Sequence, residues 1–332
     1  MTNPTTDTTT TATTTSPPAA TANKINVMAG YVLPVLDAIS YFFGAIWAFL
    51  FAAKTTPVQL GKGTDAVVIS GASTGIGYDT AVTLAKSGVL VFAGVRAQKD
   101  LDALTGLNVS TLIPVKLDVA NQDSIKNAVE TVQAKLERTP GARLVGVINN
   151  AGVPAFGDAE SVTTAEYHRV FDVNVLGPLH LTQAFLPLLR PHGGRVLLIS
   201  SLAGAVTAPV NSLYSASKRA VEAIFDGFRQ ELGKEKIGVA TIRPGAITTP
   251  IWTKFPTAEA KREVYYNAAQ EMASSTSIPP SHVTRSIVHA LTATYPCAIY
   301  SVGFDSRFVQ VLVGNLPTYM LDYLTANGIE GV

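Results

Sequence analysis

A cluster of three glycines between two predicted elements constrains the fold of this chain more than any other feature. Residues 64–71, Thr-Asp-Ala-Val-Val-Ile-Ser-Gly, predict a short buried strand that runs into Gly71-Ala-Ser-Thr-Gly75-Ile-Gly77. An amphipathic helix is predicted over residues 77–87, and a second apolar strand over residues 89–95. Glycines at this junction let the backbone turn tightly and approach a pyrophosphate at the helix N-terminus. The alternative, a turn whose only role is to pack a helix on a sheet, would explain one or two of the three glycines.

The alternation of apolar strands and amphipathic helices continues to about residue 250. Further strands are predicted at 111–117, 144–148, 195–199 and 239–242, and helices at 121–138, 163–189 and 212–234. Such alternation indicates a parallel sheet covered on both faces. Residues 61–332 are therefore predicted to form a single α/β domain with a doubly wound parallel sheet of the Rossmann type. Residues 249–281 are predicted to be its substrate lid, with Ile251, Trp252, Phe255, Tyr265, Tyr266 and Met272 as apolar lining or packing residues.

The ends of the second and third strands bear on the choice of cofactor. The second strand ends in Gly94-Val95-Arg96, where an acidic residue would bind the ribose hydroxyls of NAD. Arg96 could instead pair with a 2′-phosphate, which favours NADP(H) over NAD, although an arginine at a strand end is often only a surface residue. The third strand ends in Asp118-Val119, which could contact the adenine.

Tyr214-Ser-Ala-Ser-Lys218 places a tyrosine and a lysine four residues apart, on one face of a predicted helix. An ammonium close to a phenol favours the phenolate, which lowers a pKa of about 10 toward neutrality. Such a tyrosine can exchange a proton with a substrate oxygen at physiological pH. The alternative is an ordinary solvated helix face.

The order of these motifs resembles the short-chain dehydrogenase/reductase family. The glycine turn, Asn149-Asn-Ala-Gly152, the strand-end Ser201 thirteen residues before Tyr214, the Tyr-x-x-x-Lys pair and Pro244-Gly245 appear in the order of that family. The resemblance covers about residues 61–325. It implies an oxidoreductase that uses a nicotinamide cofactor.

The resemblance also implies a role for each matched residue. Tyr214 would be the general acid in reduction and the base in oxidation. Lys218 would lower the pKa of Tyr214 and bind the nicotinamide ribose, Ser201 would orient the substrate oxygen, and Asn174 would hold a water in a proton relay. Ser70 stands where the family most often has threonine, which retains the hydroxyl. With Arg96, the implied cofactor residues are Gly71, Ser73, Gly75, Ile76, Gly77, Asp118, Val119, Asn150, Tyr214, Lys218, Pro244, Gly245, Ile247 and Thr249.

The C-terminal part resembles one branch of that family. Tyr300-Ser-Val-Gly-Phe-Asp305 followed by Leu316-Pro-Thr-Tyr319 is similar to the tail of retinol and hydroxysteroid dehydrogenases. This implies a lipophilic alcohol or ketone as substrate, often with membrane association, and family members often dimerise through the helices corresponding to 163–190 and 212–234. Alternatives are a reductase of long-chain keto-lipids, such as acyl-dihydroxyacetone-phosphate or keto-sphingoid bases, and an NADPH-binding membrane scaffold with little turnover.

The N-terminal region has two parts of different composition. Residues 1–24 are mostly threonine and are predicted to be disordered. Residues 25–53 are apolar with Asp37 as their only charge, and they are predicted to associate with the endoplasmic reticulum or another intracellular membrane. Asp37 and Pro34 leave open a kinked membrane-spanning helix, a helix lying in one leaflet, a signal peptide, or a helix of the soluble core.

Charge and cysteine content narrow the remaining possibilities. The net charge of +1 gives no support to nucleic-acid binding. Cys297 is the only cysteine, so the chain forms no internal disulfide and no cysteine-based metal site is predicted.

Overall fold

The three-dimensional structure is a computed structural model that describes residues 34–47, 49–50, 55–60, 63–250 and 276–327. The threonine-rich tail and the first part of the apolar segment lie outside the described residues. The six apolar residues predicted for the lid also lie outside the described residues. Of the predicted lid, 249–281, only the two ends, 249–250 and 276–281, are described.

Seven strands form one sheet in the order β3-β2-β1-β4-β5-β6-β7, and every neighbouring pair is parallel. The predicted doubly wound α/β fold is therefore confirmed. All residues of β1, β2 and β5 are buried, as expected for strands covered on both faces. The strands are β1 Asp65–Ser70, β2 Leu90–Val95, β3 Leu112–Lys116, β4 Arg143–Asn149, β5 Gly194–Ile199, β6 Ile237–Pro244 and β7 Ile299–Val302.

The helices cover the two faces of this sheet. One core layer packs α2, α3 and α8 against the sheet, and the other packs α4, α6 and α7 against the opposite face. The helices are α1 34–47, α2 Gly75–Lys86, α3 Gln98–Thr105, α4 Gln122–Glu137, α5 Thr164–Phe171, α6 Gly177–Leu189, α7 Ser212–Leu232, α8 Pro280–Thr292, α9 Phe304–Asn315 and α10 Thr318–Asn327.

The helix predicted over residues 163–189 is interrupted in the structure. A capping box between Thr163 and Glu166 starts α5, and a five-residue π-helix, Asp172–Leu176, separates α5 from α6. Asn174 lies in this π-helix, which is a type of irregularity that is frequent at functional sites. The sequence predicts a continuous helix here because the apolar spacing continues through the irregular turn.

Helix α1 packs against the domain through part of its surface. The ring of Tyr41 stacks on His289 with centroids 4.2 Å apart, and its hydroxyl lies 2.8 Å from the Oγ of Ser286. Asp37 forms an ion pair with Arg307 of α9. These contacts attach one side of α1 to the α/β domain. Within the described ranges, no helix has the length and apolar character needed to cross a membrane.

Many other side chains of α1, the two residues Phe49 and Leu50 just after it, and many on the two C-terminal helices are large, apolar and exposed. Phe42 is 64% exposed and Tyr319 is 88% exposed. We call these side chains the terminal apolar residues: Val35, Ile39, Phe42, Phe43, Ile46, Trp47, Phe49, Leu50, Phe304, Phe308, Val311, Tyr319, Met320, Tyr323 and Leu324.

Candidate active site

The turn between β1 and α2 forms a backbone cradle. Gly71 and Gly75 have φ of +68° and +58°, a region that favours glycine. A Cβ on Gly77 would overlap the carbonyl oxygen of Gly71, so this close approach requires glycine. The N-cap Thr74 makes no side-chain hydrogen bond, and the first turn of α2 contains no acidic residue. The free N–H groups and the positive end of the helix dipole therefore suit a phosphate group, so the residues present fit a dinucleotide.

Hydrogen bonds between the ends of β1 and β4 hold this cradle. The Oγ of Ser70 accepts the backbone N–H groups of Asn150 and Ala151, each at 3.1 Å. The Nδ2 of Asn150 donates to the carbonyl oxygens of Ser70 and Gly71, each at 3.0 Å. Serine thus supplies the hydroxyl that this position needs, and the side chain of Asn150 fixes the shape of the turn.

The other cofactor residues predicted from sequence follow the carboxyl ends of the strands, which meet at one edge of a parallel sheet. Arg96 is exposed directly after β2. Asp118 follows β3 and accepts the N–H of Ala120 at 3.1 Å. Val119 is buried against Gly177, so little of its side chain is open to a ligand.

The loop after β6 lies opposite the glycine turn. A Cβ on Gly75 would lie 2.9 Å from the methyl carbon of Thr249, which brings these two segments within van der Waals contact of each other. Ile247 is buried and forms a β-bridge with Ile278. Pro244 ends β6, and Gly245 donates its N–H to the carbonyl oxygen of Val302 at 2.9 Å. The loop is therefore held between the glycine turn and β7. Ser73 and Ile76 lie at the turn itself.

Tyr214, Ser201 and Lys218 lie at the same edge. The side chain of Ser201 interacts with the hydroxyl of Tyr214 and favours its ionised form. Ser201 also caps a short 3-10 turn after β5 and accepts the N–H of Ala203 at 3.2 Å. Helix α7 begins at Ser212, so Tyr214 falls in its first turn and Lys218 one turn later. The Nζ of Lys218 lies 5.6 Å from the centroid of the Tyr214 ring.

Burial dominates the electrostatics of this group. It raises the pKa of Tyr214 to about 12, although the hydrogen bond with Ser201 opposes the rise. It lowers the pKa of Lys218 to about 8, and the nearby Glu222 opposes that fall. The spacing of Tyr214 and Lys218 predicts a lowered pKa for the phenol, whereas in the structure the net shift of its pKa is upward. The reason is that burial penalises the charged phenolate, and sequence spacing carries no information about burial.

Asn174 is buried next to Lys218. Its Oδ1 accepts the N–H of Val153 at 2.9 Å, and its Nδ2 donates to the carbonyl oxygen of Val153 at 3.0 Å and to the Oγ of Ser217 at 3.1 Å. A Cβ on Gly152 would lie 3.5 Å from the Oδ1 of Asn174 and 3.6 Å from the Nζ of Lys218. Gly152 therefore separates the two polar groups without filling the space between them. Ser217 is not among the residues predicted from the sequence, although its position inside Tyr-Ser-Ala-Ser-Lys was the available signal.

The surroundings of Tyr214 are apolar. Its ring packs against a small cluster centred on Ala155, Val170 and Leu213, to which Val153 and Tyr167 also belong. The site thus combines a backbone cradle that suits a phosphate, a polar group of Ser201, Tyr214 and Lys218, and an apolar cluster against Tyr214.

Known proteins share this fold. Solved structures of short chain dehydrogenases from Burkholderia cenocepacia, in complex with NADP, and from Burkholderia phymatum, in complex with NAD, have the same fold. The first has a TM-score of 0.62 and 21% identity over 77% of this chain and 94% of its own. The second has a TM-score of 0.63 and 20% identity over 71% and 88%. The fold therefore occurs with either cofactor.

Curated relatives are more similar in sequence. The chain is 33% identical to the mitochondrial D-beta-hydroxybutyrate dehydrogenase of Bos taurus over 75% of this chain and 79% of that protein. It is 32% identical to retinol dehydrogenase 7 of Mus musculus over 77% and 86%. The family model for short chain dehydrogenases matches residues 65–260. The chain therefore belongs to the short-chain dehydrogenase family and is an oxidoreductase that acts on hydroxyl or keto groups.

Proposed function

We propose that the protein is an NADP(H)-dependent oxidoreductase that transfers hydride between nicotinamide and the carbonyl or hydroxyl carbon of a lipophilic, retinoid- or steroid-like substrate. One observation carries this proposal. Tyr214, beside Ser201 and Lys218, lies on the sheet edge that also holds the glycine cradle, and it packs against an apolar cluster.

The mechanism follows from the protonation states of the site. A phenol with a pKa of about 12 keeps its proton at neutral pH, so Tyr214 is ready to donate it to a carbonyl oxygen. Ser201 holds that oxygen by a second hydrogen bond. Bound nicotinamide supplies the hydride in reduction and accepts it in oxidation. The ammonium of Lys218, 5.6 Å from the ring, stabilises the negative charge that develops on the phenol oxygen.

The proton that leaves Tyr214 must be replaced. Lys218, with a pKa of about 8, can exchange protons near neutral pH. Asn174 lies on the far side of Gly152 and is fixed by both backbone groups of Val153. We assign Asn174 the task of holding a water that relays protons toward Lys218.

The preference for NADP(H) rests on Arg96. It is a basic residue at the position where NAD-binding sheets of this type carry an acid for the ribose hydroxyls, and its side chain is exposed beside the cradle. A guanidinium there can pair with a 2′-phosphate through charge-assisted hydrogen bonds. Val119 and Asp118 at the end of β3 would border the adenine.

A lipophilic substrate is supported by the apolar side chains around Tyr214 and by the similarity to a retinol dehydrogenase. The similarity to D-beta-hydroxybutyrate dehydrogenase favours a second candidate, a short hydroxy acid. A short acid needs a cation for its carboxylate, whereas the described neighbours of Tyr214 in the cluster of Ala155 and Leu213 are apolar. A long-chain keto-lipid fits the same apolar surroundings.

We also propose that the protein lies on a lipid membrane through the terminal apolar residues. The exposed phenylalanines, tyrosines and the tryptophan among them are typical of helices that rest in a membrane interface. The ion pair between Asp37 and Arg307 joins α1 to α9 and neutralises the charge that opposed membrane association of this segment. This is the sequence prediction for residues 25–53, now extended to α9 and α10. A homodimer through α5 to α7 remains a proposal on resemblance alone.

Two experiments test these proposals. The first is a screen of retinoids, steroids, long-chain keto-lipids and short hydroxy acids, each with NADPH or NADP⁺ and with NADH or NAD⁺ in parallel. We expect turnover with lipophilic substrates and the phosphorylated cofactor, and turnover of short acids alone would select the second candidate. The absence of any turnover with tight NADPH binding would favour the scaffold. The second is vesicle sedimentation, in which attachment should persist in 1 M salt because it is apolar.

A further inference from the structure

The sequence Tyr300–Asp305 carries a carboxylate to which the proposed mechanism assigns no task. Asp305 is half-buried in the first turn of α9. Its Oδ2 accepts the backbone N–H of Ala246 at 2.7 Å, and its Oδ1 accepts the N–H of Ser306 at 2.8 Å. The first of these bonds crosses from α9 to the loop that follows β6, directly after Pro244-Gly245.

The chain leaves room for this carboxylate at two glycines. A Cβ on Gly245 would overlap both oxygens of Asp305, so no other residue fits there without moving the carboxylate. Gly303, which precedes α9, has φ of +101°, and a Cβ there would lie 2.5 Å from the Oδ1 of Asp305. Gly245 and Gly303 are far apart in sequence, and both lack a side chain at the point where the chain approaches the carboxylate of Asp305.

The loop that Asp305 holds borders the cofactor site. The carbonyl oxygen of Ala246 accepts the N–H of Ile278 at 3.1 Å, and Thr248 donates its N–H to the carbonyl oxygen of Ile278 at 3.0 Å. Thr249, one residue later, is the residue that faces Gly75 of the glycine turn. A shift at Ala246 therefore changes the width of the cofactor site.

We propose that Asp305 is a positioning residue, which fixes the loop from Gly245 to Thr249 so that it fits the nicotinamide half of the cofactor. The inference rests on the proposed function. The loop follows β6, beside β5 and Ser201, whereas Arg96 follows β2 on the far side of β1 and β4. Loss of the Asp305 bond should therefore affect the nicotinamide end and spare the adenosine end.

The test compares three variants in the full-length protein. Asp305→Ala removes both hydrogen bonds to the loop and to α9. Asp305→Asn keeps an oxygen that can accept from Ala246 but turns an amide toward the N–H of Ser306. Ser306→Ala is the matched control, because its Oγ ties α9 to the carbonyl oxygen of Arg243 in β6 at 2.8 Å and does not touch the loop.

The readouts are the dissociation constants of NADPH, NADH and adenosine 2′,5′-bisphosphate, together with thermal unfolding. For Asp305→Ala we expect NADPH to bind about tenfold more weakly, as for loss of one charge-assisted hydrogen bond, and the bisphosphate to bind within about twofold of wild type. Asp305→Asn should lose about threefold for NADPH alone. Ser306→Ala should lower the unfolding temperature and leave NADPH affinity within about twofold.

Three results would overturn the proposal. One is unchanged NADPH binding in Asp305→Ala. Another is equal weakening of NADPH and the bisphosphate, which indicates a general loss of structure. The third applies if Asp305→Ala does not fold, and it is an unchanged NADPH affinity in Asp305→Asn. A wild-type protein that binds neither NADPH nor NADH would refute the proposed function itself, which is a different outcome from a wild type that binds and variants that do not differ.

Discussion

The carboxyl edge of the sheet and the helices that carry the terminal apolar residues differ in which side chains they bury and which they expose. At the edge, polar side chains are buried and bonded to backbone groups: Asn150 to Ser70 and Gly71, Asn174 to Val153, and Lys218 to the carbonyl oxygen of Ile199 at 3.1 Å. At the terminal helices, large apolar side chains are exposed. The first arrangement fixes the backbone in a shape before a ligand binds. The second leaves apolar surface that a soluble monomer rarely exposes over a large area, so it calls for an apolar partner.

The comparison predicts its largest effect at Tyr214. Tyr214→Phe removes one hydroxyl and keeps the ring, so kcat should fall by about 10²- to 10⁴-fold, the usual contribution of a general acid. NADPH affinity should stay within about twofold. The control is Tyr167→Phe, since Tyr167 packs in the same apolar cluster and should keep wild-type turnover. Steady-state kinetics and NADPH titration measure both. Wild-type turnover in Tyr214→Phe would contradict the proton path.

Two neighbouring residues on α1, Tyr41 and Phe42, lie in different environments. Tyr41 stacks on His289 and bonds to Ser286, whereas Phe42 is 64% exposed. Tyr41→Ala should lower the free energy of unfolding by about 2–4 kcal/mol, because it leaves a cavity and removes the hydrogen bond with Ser286. Phe42→Ala should change it by less than about 0.5 kcal/mol. Urea unfolding at one pH measures both.

For membrane binding we expect the opposite order, in which Phe42→Ala has the larger effect and Tyr41→Ala the smaller. Burying one phenylalanine side chain in lipid is worth about 1.5–3 kcal/mol, so Phe42→Ala should weaken vesicle binding by about tenfold. If Phe42→Ala destabilises the fold as strongly as Tyr41→Ala, both sides of α1 belong to the core. If neither variant changes vesicle binding, the terminal apolar residues have another partner.

These two neighbours show what a sequence can and cannot predict. Tyr41 and Phe42 belong to one apolar run of the sequence, and only the packing of α1 on α8 shows which of them is in contact with the domain. By contrast, Gly71, Gly75 and Gly77 could be predicted because their backbone geometry has few other solutions. Strand alternation likewise predicted the parallel sheet. Asp305 was visible only as part of a motif, because its partner Ala246 lies 59 residues away.

The next prediction concerns Arg96, at the end of the sheet edge where the adenosine part of the cofactor would bind. Arg96→Ala should weaken NADPH binding by about tenfold, the loss of one charge-assisted contact with the 2′-phosphate, and leave NADH within about twofold. Lys126→Ala on α4 is the control for net charge, because Lys126 is also exposed and basic but lies in the interior of a helix. Titrations at fixed ionic strength compare the four affinities. Equal losses for both cofactors would remove the 2′-phosphate argument.

The smallest effect concerns pH and decides which member of the Tyr214–Lys218 pair titrates first. Burial lowers the pKa of Lys218 to about 8, whereas the unfolded chain keeps that proton up to about pH 10.5. Between these values the unfolded state binds more protons, so this group makes the free energy of unfolding rise with pH, by about 1 kcal/mol from pH 7 to 9. Burial raises the pKa of Tyr214 to about 12, so its contribution falls only above about pH 10.

Urea unfolding of wild type, Lys218→Met and Tyr214→Phe at pH 7, 8 and 9 separates the two groups. Lys218→Met should lose the rise, so that its difference from wild type changes by about 1 kcal/mol over this range. Tyr214→Phe should follow the pH dependence of wild type, because neither the folded nor the unfolded phenol ionises appreciably below pH 9. If Tyr214→Phe loses a pH dependence between 7 and 9 and Lys218→Met does not, the phenol titrates near neutrality. That result would restore the direction expected from the spacing of the two residues, and burial would not be the dominant influence on this site.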